Sequence, residues 1–247
     1  MALIEEFDKT GNWLFRRRSY LPLFLYVFAT IVLFIEQKEF LEFTNIYWIL
    51  ACYAVSVLGL IIRILVVGYT PKATSGRNTK KQVANEINTK GIYSVVRHPL
   101  YLGNFFMWLG IIIYVGNGWF IAVCILLFWL YYERIMFAEE MFVRSKFSKE
   151  YEKWSENTPA FFPKFRKWDK TDLNFSIKNV LKREYGGFFA TIISFAYIDF
   201  LKNYLIYDKF YLDFLWMIFL IAGFVIFIVL RTFLSLREVK TNTCMTI

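Results

Sequence analysis

The sequence predicts an all-α, multi-pass membrane protein with about six transmembrane helices. Of its 247 residues, 57% are hydrophobic and 21% are aromatic, which lies well outside the composition of soluble domains. The apolar residues are gathered into six runs, and Lys and Arg concentrate in the segments between them. A chain of this length is expected to form one domain in which helices pack against helices in lipid.

Residues 1–68 are predicted to carry the first two spans. The run Leu21–Ile35 is short, because a span usually needs roughly 20 residues and at least about 17, and we expect Phe15 and Tyr20 to help anchor it. The run Ile46–Gly68 is a clear span with Arg63 near its end. We expect that arginine to extend its side chain to the membrane interface.

Residues 69–163 are predicted to form the functional core. A polar basic loop, 69–96, leads into two apolar helices, 100–115 and 119–137, which are joined by the tight turn Gly116-Asn117-Gly118. A tight turn between apolar helices predicts an antiparallel hairpin. The end of the second helix should therefore return to the side of the membrane on which the first one began.

Residues 164–247 are predicted to comprise a linker, two further spans at about 186–201 and 210–230, and a basic tail. We expect these spans to pack around the core or to help shape lipid entry, and an oligomer contact through them stays open. The distribution of Lys and Arg predicts that both termini and the junction near Arg97 face the cytosol. The membrane would be the cytoplasmic one in a bacterium and the endoplasmic reticulum in a eukaryote, and no cleavable signal peptide is expected.

The junction between the basic loop and the third apolar run holds the only histidine, His98, beside Arg97. A cation and an imidazole are costly to place at the mouth of an apolar helix, so the pair indicates function. Pro99 suits the first turn of a helix, because its missing N–H would be unsatisfied there anyway. Gly103 and Gly110 lie on one face of that helix and predict close approach by another helix or by a ligand.

A second group of polar residues follows the hairpin. Glu133, Phe137 and Glu140 are spaced to lie on one helical face. Glu140 is explained either as a solvated interface residue, paired with Arg144, or as a partner of the junction. The hairpin places Glu140 opposite Arg97, which favours the second explanation.

Four motifs in this core carry a resemblance to a known family. They are R-H-P-L-Y-L-G at 97–103, E-E at 139–140, F-S-x-x-Y-x-x-W at 147–154 and P-x-x-x-P at 159–163. The region 91–163 resembles the isoprenylcysteine carboxyl methyltransferase and phospholipid methyltransferase superfamily. The chain departs from the family pattern at two positions: Ser148 stands where the family usually has glycine, and Trp154 where it usually has tyrosine.

The resemblance implies S-adenosylmethionine as methyl donor and a membrane lipid or lipidated acceptor. The acceptor is expected to be an anionic oxygen, such as a lipid phosphate of the lipid A type or a prenylcysteine carboxylate, with the amine of a phospholipid as an alternative. An ionised acceptor needs no strong base, so His98 is expected to bind or orient rather than to abstract a proton, or else only to cap the helix. The implied cofactor-binding residues are Arg97, His98, Tyr101, Leu102, Gly103, Glu139 and Glu140, and the implied catalytic ones are Arg97, Arg134 and Glu140. Substrate binding is expected from Arg134 and from Arg77 and Lys80 of the basic loop, which is interpreted either as a phosphate-headgroup contact or as an ordinary basic cytosolic connection.

Other features refine or compete with this assignment. Trp108 and Tyr101 are candidates for packing against adenine or the sulfonium, and the segment 147–162 is expected to close over the cofactor. The net charge of +9 is attributed to cytosolic loops and lipid headgroups rather than to nucleic acid. The three cysteines predict neither a disulfide framework nor a metal site.

The competing hypotheses are an NADPH-dependent sterol or lipid reductase of similar architecture, disfavoured by Leu100 in place of an asparagine, and a non-enzymatic membrane scaffold.

Overall fold

The computed structural model describes residues 2–35, 45–70, 82, 84 and 86–243, with side chains described up to residue 234. These residues form seven α-helices and no strands, so the predicted all-α fold is confirmed. The helices are α1 (Ala2–Arg17), α2 (Phe24–Ile35), α3 (Ile46–Gly68), α4 (Pro99–Val115), α5 (Gly118–Ser155), α6 (Ile177–Tyr207) and α7 (Phe214–Thr243).

Within the described ranges, four helices are long and apolar enough to cross a membrane, namely α3, α5, α6 and the part Phe214–Leu234 of α7. A fifth candidate is the pair Ala2–Arg17 and Leu21–Ile35, which is bent by 72°. Helix α4 has only 17 residues, or roughly 26 Å against a hydrocarbon core of about 30 Å. The structure therefore supports four or five spans in a multi-pass membrane protein, and the predicted count of six is not confirmed.

The hairpin of α4 and α5 forms as its turn sequence predicts. Gly116 ends α4 with a φ of +95°, a left-handed conformation that favours glycine. The Asn117 side chain then caps α5 by accepting a hydrogen bond from the backbone N–H of Phe120 at 2.6 Å. Because the part of α5 before the break at Ser148 spans residues 118–147, it extends roughly 45 Å, and its charged C-terminal part projects beyond the apolar segment.

Close packing of α3 against α4 depends on the predicted stripe of small residues. A Cβ atom on Gly59 would overlap the carbonyl oxygen of Gly103, and one on Gly103 would lie 2.6 Å from Cγ of Arg63. A Cβ atom on Gly110 would likewise overlap backbone of Cys52. Of the two expectations for this stripe, a neighbouring helix or a ligand, the structure shows the helix.

Arg63 does not extend to the interface, which corrects the sequence-based expectation. Its Nε donates to Glu184 Oε2 at 2.7 Å and its Nη2 to Glu184 Oε1 at 2.9 Å, while Nη1 donates to Asn104 Oδ1 at 2.5 Å. Glu184 belongs to α6 and its side chain is only 4% exposed. A buried carboxylate needs such a partner, so the pair draws α6 against α3 and α4, and this C-terminal helix packs around the core as expected.

Two apolar clusters flank this polar contact. One joins α3, α4, α6 and α7 around Tyr114, Phe195 and Trp216. The other joins α1, α4 and α5 around Phe15 and Tyr132. The second cluster lies beneath the paired glutamates of α5 and forms the floor on which the candidate site is built.

Candidate active site

The junction predicted from the sequence forms the start of α4. Pro99 occupies the first turn, and His98 stands at the N-cap position without a capping hydrogen bond from its side chain. The suggestion that His98 only caps the helix is therefore not what the structure shows. Its ring points instead toward the glutamates that α5 brings back beside the junction.

Glu140 is the centre of the site. Its Oε1 lies 2.8 Å from His98 Nε2, and its Oε2 accepts a hydrogen bond from the Tyr151 hydroxyl at 2.6 Å. Arg97 Nε lies 3.0 Å from Glu140 Oε1, but its N–H is not aligned for a hydrogen bond, so this contact is an ion pair only. The juxtaposition of Arg97 and Glu140 expected from the hairpin is thus found.

These neighbours determine the ionisation of Glu140, which lies beyond the apolar part of α5. Burial alone would raise the pKa of its carboxyl group, but the hydrogen bond and charge of His98, the Tyr151 hydroxyl and the charge of Arg97 outweigh burial and lower it. Glu140 is therefore held as a carboxylate at neutral pH.

Glu139 forms the second half of the site. Its Oε1 accepts a hydrogen bond from the Tyr101 hydroxyl at 2.7 Å, and its Oε2 lies 3.7 Å from His98 Nδ1. Arg18 Nη1 is 3.4 Å from both Glu139 Oε1 and the Tyr101 hydroxyl. The Tyr101 ring is also stacked on the imidazole of His98, with centroids 5.7 Å apart.

Arg18 is the site residue that the sequence did not reveal. It is the last of three consecutive arginines before the first apolar run, and nothing in that run distinguishes it from its neighbours. Its position follows from the packing of α1 against α5, where a Cβ atom on Gly11 would overlap the backbone of Arg134. The turn after α1 then carries Arg18 to Glu139.

The segment after α5 is hydrogen-bonded along the junction. The backbone N–H groups of Arg97 and His98 donate to the carbonyls of Pro159 at 2.9 Å and Ala160 at 3.1 Å, and that of Lys164 donates to Val95 at 2.9 Å. Arg97 Nη1 also donates to the carbonyl of Ser155 at 3.0 Å. The segment 147–162 therefore lies where the sequence placed it, and its movement over a ligand stays a prediction.

Both departures from the family pattern lie at structurally defined positions. Ser148 has a φ of +30° and interrupts α5, which explains why glycine is the usual residue there. The kink allows Tyr151 to reach Glu140, since eleven residues of straight helix would separate them by roughly 16 Å. Trp154 donates from Nε1 to the carbonyl of Tyr93 at 2.8 Å, a contact that its indole N–H makes with the junction.

Several predicted site residues lie elsewhere. The Arg134 guanidinium lies over the Phe7 ring, 3.3 Å from its centroid, with Nη1 buried and without a hydrogen-bond partner. Trp108 packs against Tyr26, with ring centroids 5.7 Å apart. Leu102 is buried in the apolar cluster below the site, Glu133 is exposed, and Gly103 contacts α3. Arg77 and Lys80 lie outside the described residues.

The central part of the chain matches a family model. Residues 49–150 match the model described as phospholipid methyltransferase. The matched region includes α3, the junction, the hairpin and both site glutamates, and the resemblance found in the sequence is thereby confirmed. No solved structure matches the chain significantly.

Three curated proteins are similar to parts of the chain. Protein-S-isoprenylcysteine O-methyltransferase of Schizosaccharomyces pombe is 29% identical over 143 residues, covering 55% of this chain and 58% of that protein. The cobalt-zinc-cadmium resistance protein CzcN of Cupriavidus metallidurans is 38% identical over 80 residues, covering 32% and 37%. The nickel-cobalt-cadmium resistance protein NccN of Alcaligenes xylosoxydans xylosoxydans is 33% identical over 81 residues, covering 33% and 38%. The chain thus spans between about a third and three fifths of the length of these relatives.

Proposed function

We propose that this chain, whose residues 49–150 match the phospholipid methyltransferase family, transfers a methyl group from S-adenosylmethionine to a membrane lipid or a lipidated acceptor. The observation that carries the proposal is the contact of Arg97 and His98 with Glu140. It unites the two most distinctive motifs of the resemblance at one end of a membrane helix hairpin. A scaffold would have no need for such a cluster.

The side chains of the site suit the polar groups of S-adenosylmethionine. Glu139 and Glu140 can accept hydrogen bonds from ribose hydroxyls or from the cationic amino group, and the lowered pKa of Glu140 keeps it anionic for that role. Tyr101 and His98 present stacked rings beside these carboxylates. The bound donor supplies an electrophilic methyl group on a sulfonium whose positive charge disappears on transfer.

The chain's own contribution is positioning and the exclusion of water. His98 is fixed between the two glutamates and orients Glu140, with Tyr151 bound to the other oxygen of that carboxylate. The segment 155–164 is hydrogen-bonded to the junction through the backbone N–H groups of Arg97, His98 and Lys164. We propose that it opens to admit the donor and closes for the reaction.

We further propose that the acceptor is an anionic oxygen, either a lipid phosphate or a prenylcysteine carboxylate. Such an acceptor is already ionised, so the reaction needs no strong general base. The planar guanidinium of Arg97 can bind a phosphate or carboxylate by two hydrogen bonds. Arg77 and Lys80 are proposed to contact the headgroup of the acceptor. Arg134, whose guanidinium lies over the Phe7 ring, is proposed to lie near the reacting group of the acceptor.

The positive charge of the loops supports a cytosolic orientation for the site and both termini in this proposal. In this proposed orientation, the site faces the side of the membrane on which a soluble methyl donor is available. Labelling of single cysteines placed at residues 13 and 149, in vesicles with the protein inserted as in the cell, tests this orientation. If a membrane-impermeant reagent modified either cysteine only from the non-cytosolic side, the proposed orientation would be contradicted.

The decisive experiment is isothermal titration of the purified protein with S-adenosylmethionine and, separately, with NADPH. Saturable binding of S-adenosylmethionine that Glu140→Ala and Arg97→Ala weaken, but Glu152→Ala does not, supports the proposal. Binding of NADPH alone would replace it with the reductase hypothesis. Binding of neither ligand by folded protein would revive the scaffold hypothesis.

Hydrogen exchange tests the closing segment separately. Addition of S-adenosylmethionine should slow exchange of the amides of 155–164 if that segment closes over the donor. Unchanged protection there, with binding shown by titration, would mean that the segment is a fixed wall.

A further inference from the structure

The segment 161–170 combines exposed aromatic and basic side chains immediately beside the site; we name it the aromatic–basic rim. Its aromatic members Phe162, Phe165 and Trp168 are 73%, 72% and 56% exposed. We propose that the rim inserts these three side chains into the bilayer leaflet next to the site and binds anionic phosphate headgroups through its basic residues. This inference does not depend on which group the enzyme transfers.

The first support is the depth at which the rim contacts the membrane helices. Phe161 packs against Phe105 of α4 and Trp129 of α5, with ring centroids 5.9 and 5.5 Å apart. Phe162 is stacked on the outer side of Trp129, at 6.2 Å and an interplanar angle of 23°. Trp129 precedes the end of the apolar part of α5, near Phe137, by eight residues or roughly 12 Å. The start of the rim therefore lies against the lipid-facing part of the hairpin.

The second support is the surface on which Phe162 lies. Leu126 and Leu130, which lie close in sequence to Trp129 on α5, are 58% and 47% exposed. Large apolar side chains exposed together on a membrane helix face acyl chains rather than water. Phe162 continues that apolar surface beyond the hairpin, whereas in water the same exposure would be unfavourable.

The third support is charge. Residues 161–170 contain four basic side chains, Lys164, Arg166, Lys167 and Lys170, and one acidic side chain, Asp169. All five are exposed. Aromatic residues favour the headgroup level, and basic residues next to a bilayer are attracted by anionic lipids. Their interleaving in one short segment fits an anionic membrane surface better than a protein partner.

The rim is also hydrogen-bonded to the junction beside the site. The backbone N–H of Lys164 donates to the carbonyl of Val95 at 2.9 Å, and that of Gly91 donates to the carbonyl of Asp169 at 2.8 Å. These bonds join both ends of the rim to the stretch 91–98, which contains the 3₁₀ helix Ile92–Ser94. The depth of the rim in the leaflet therefore determines the height of the site above the lipid headgroups.

Depth-dependent fluorescence quenching tests insertion in the full chain. A fluorophore is attached to Phe162→Cys, or in a second variant to Phe165→Cys, in nanodiscs with quencher-labelled acyl chains. The matched control is Lys149→Cys, an exposed position of the projecting part of α5. Cys52 and Cys124 are buried, and Cys244 is replaced by serine in all variants. We expect the rim labels to be quenched at least about twofold more than the control label, and equal quenching at all three positions would overturn insertion.

A second measurement tests the choice of lipid. The emission of the Phe162→Cys label is compared in phosphatidylcholine nanodiscs with and without phosphatidylglycerol, and with added inorganic phosphate. We expect a shift with phosphatidylglycerol that Lys164→Gln/Arg166→Gln abolishes and the control pair Lys149→Gln/Lys153→Gln retains. A shift produced equally by free phosphate would assign the rim to a soluble anion, and no difference between the two double variants would overturn the headgroup contact.

Discussion

Arg63 and Glu184 form a two-point ion pair between α3 and α6, with N–O distances of 2.7 and 2.9 Å. Glu184 lies outside the region that matches the family model, whereas Arg63 lies inside it. The pair thus attaches a C-terminal helix to the matched region. It continues through Asn104 to the hydroxyl of Tyr132, which accepts from Asn104 Nδ2 at 3.0 Å.

Removal of one partner of this pair should destabilise the protein strongly. Glu184→Ala leaves the partly buried guanidinium of Arg63 without its carboxylate, and we expect a loss of up to about 3 kcal/mol in unfolding free energy. Unfolding in a detergent titration measures it. The control is Glu152→Ala, which removes an exposed pair with Arg144 and should cost at most about 1 kcal/mol. Equal losses for both variants would contradict the structural role of the buried pair.

Replacement of Ser148 by glycine, the residue usual in the family, should not lower the stability of the protein. Ser148→Gly removes the cost of a positive φ, so we expect stability to be unchanged or to rise by up to about 1 kcal/mol, with Tyr151 still bound to Glu140. Ser145→Gly, one turn earlier in regular helix, should instead lower stability by several tenths of a kcal/mol. If both substitutions destabilised the protein equally, α5 would not be kinked at residue 148.

The contact between α3 and α4 should not tolerate a methyl group. Gly59→Ala places a Cβ atom into the carbonyl oxygen of Gly103, so the helices must separate and we expect a loss of roughly 1–3 kcal/mol. Gly186→Ala is the matched control, because its Cβ atom would meet no atom within 4 Å. That variant should gain about 0.5–1 kcal/mol from helix propensity. The thermal unfolding midpoints of the purified variants should fall for Gly59→Ala and rise for Gly186→Ala.

The ionisation of Glu140 predicts a dependence of stability on acid. The pKa of its carboxyl group in the folded protein lies below the ordinary value of 4.5. Its contribution should therefore be complete above that value and lost as the pH falls through the lower folded pKa. The difference in melting temperature between the parent chain and Glu140→Gln should be greatest near pH 5 and shrink below 4.5. A difference that grew on acidification would mean that the carboxyl group is protonated in the folded protein.

Much of this architecture was accessible from local sequence. Gly116 and Asn117 predicted the hairpin because a left-handed C-cap and a side-chain N-cap depend on residue type alone. Pro99 fixed the start of α4 for the same reason. The hairpin in turn brought Arg97 opposite Glu140, so the central contact of the site followed from one turn.

The misplaced residues share a different cause. Arg63 was assigned to the interface by its position near the end of a helix, but its guanidinium binds Glu184 on a distant helix. The resemblance assigned Arg134 to the reacting group; that role stays a prediction, and its guanidinium lies over the Phe7 ring. Arg18 was missed because its role depends on how α1 crosses α5. Such contacts are decided by packing between helices far apart in the chain, which apolar periodicity does not specify. The count of six spans stays unconfirmed for another reason: α4 has 17 residues, about the length of the predicted run 100–115, and such a helix lies at the lower limit of about 17 residues for a span.

The bonds between the junction and the closing segment impose an order in time on the making of this protein. Arg97 can form its hydrogen bond to the carbonyl of Ser155 only after 58 further residues have been synthesised. The hydroxyl of Ser94 can accept its hydrogen bond from the backbone N–H of Asp169 only after 75 further residues. While a ribosome translates that interval, the motif bearing the only histidine is already at the membrane without the partners that order it. A chain arrested before residue 155 would carry that motif in an incomplete site, so the site could become able to function only after the segment that follows α5 has been synthesised.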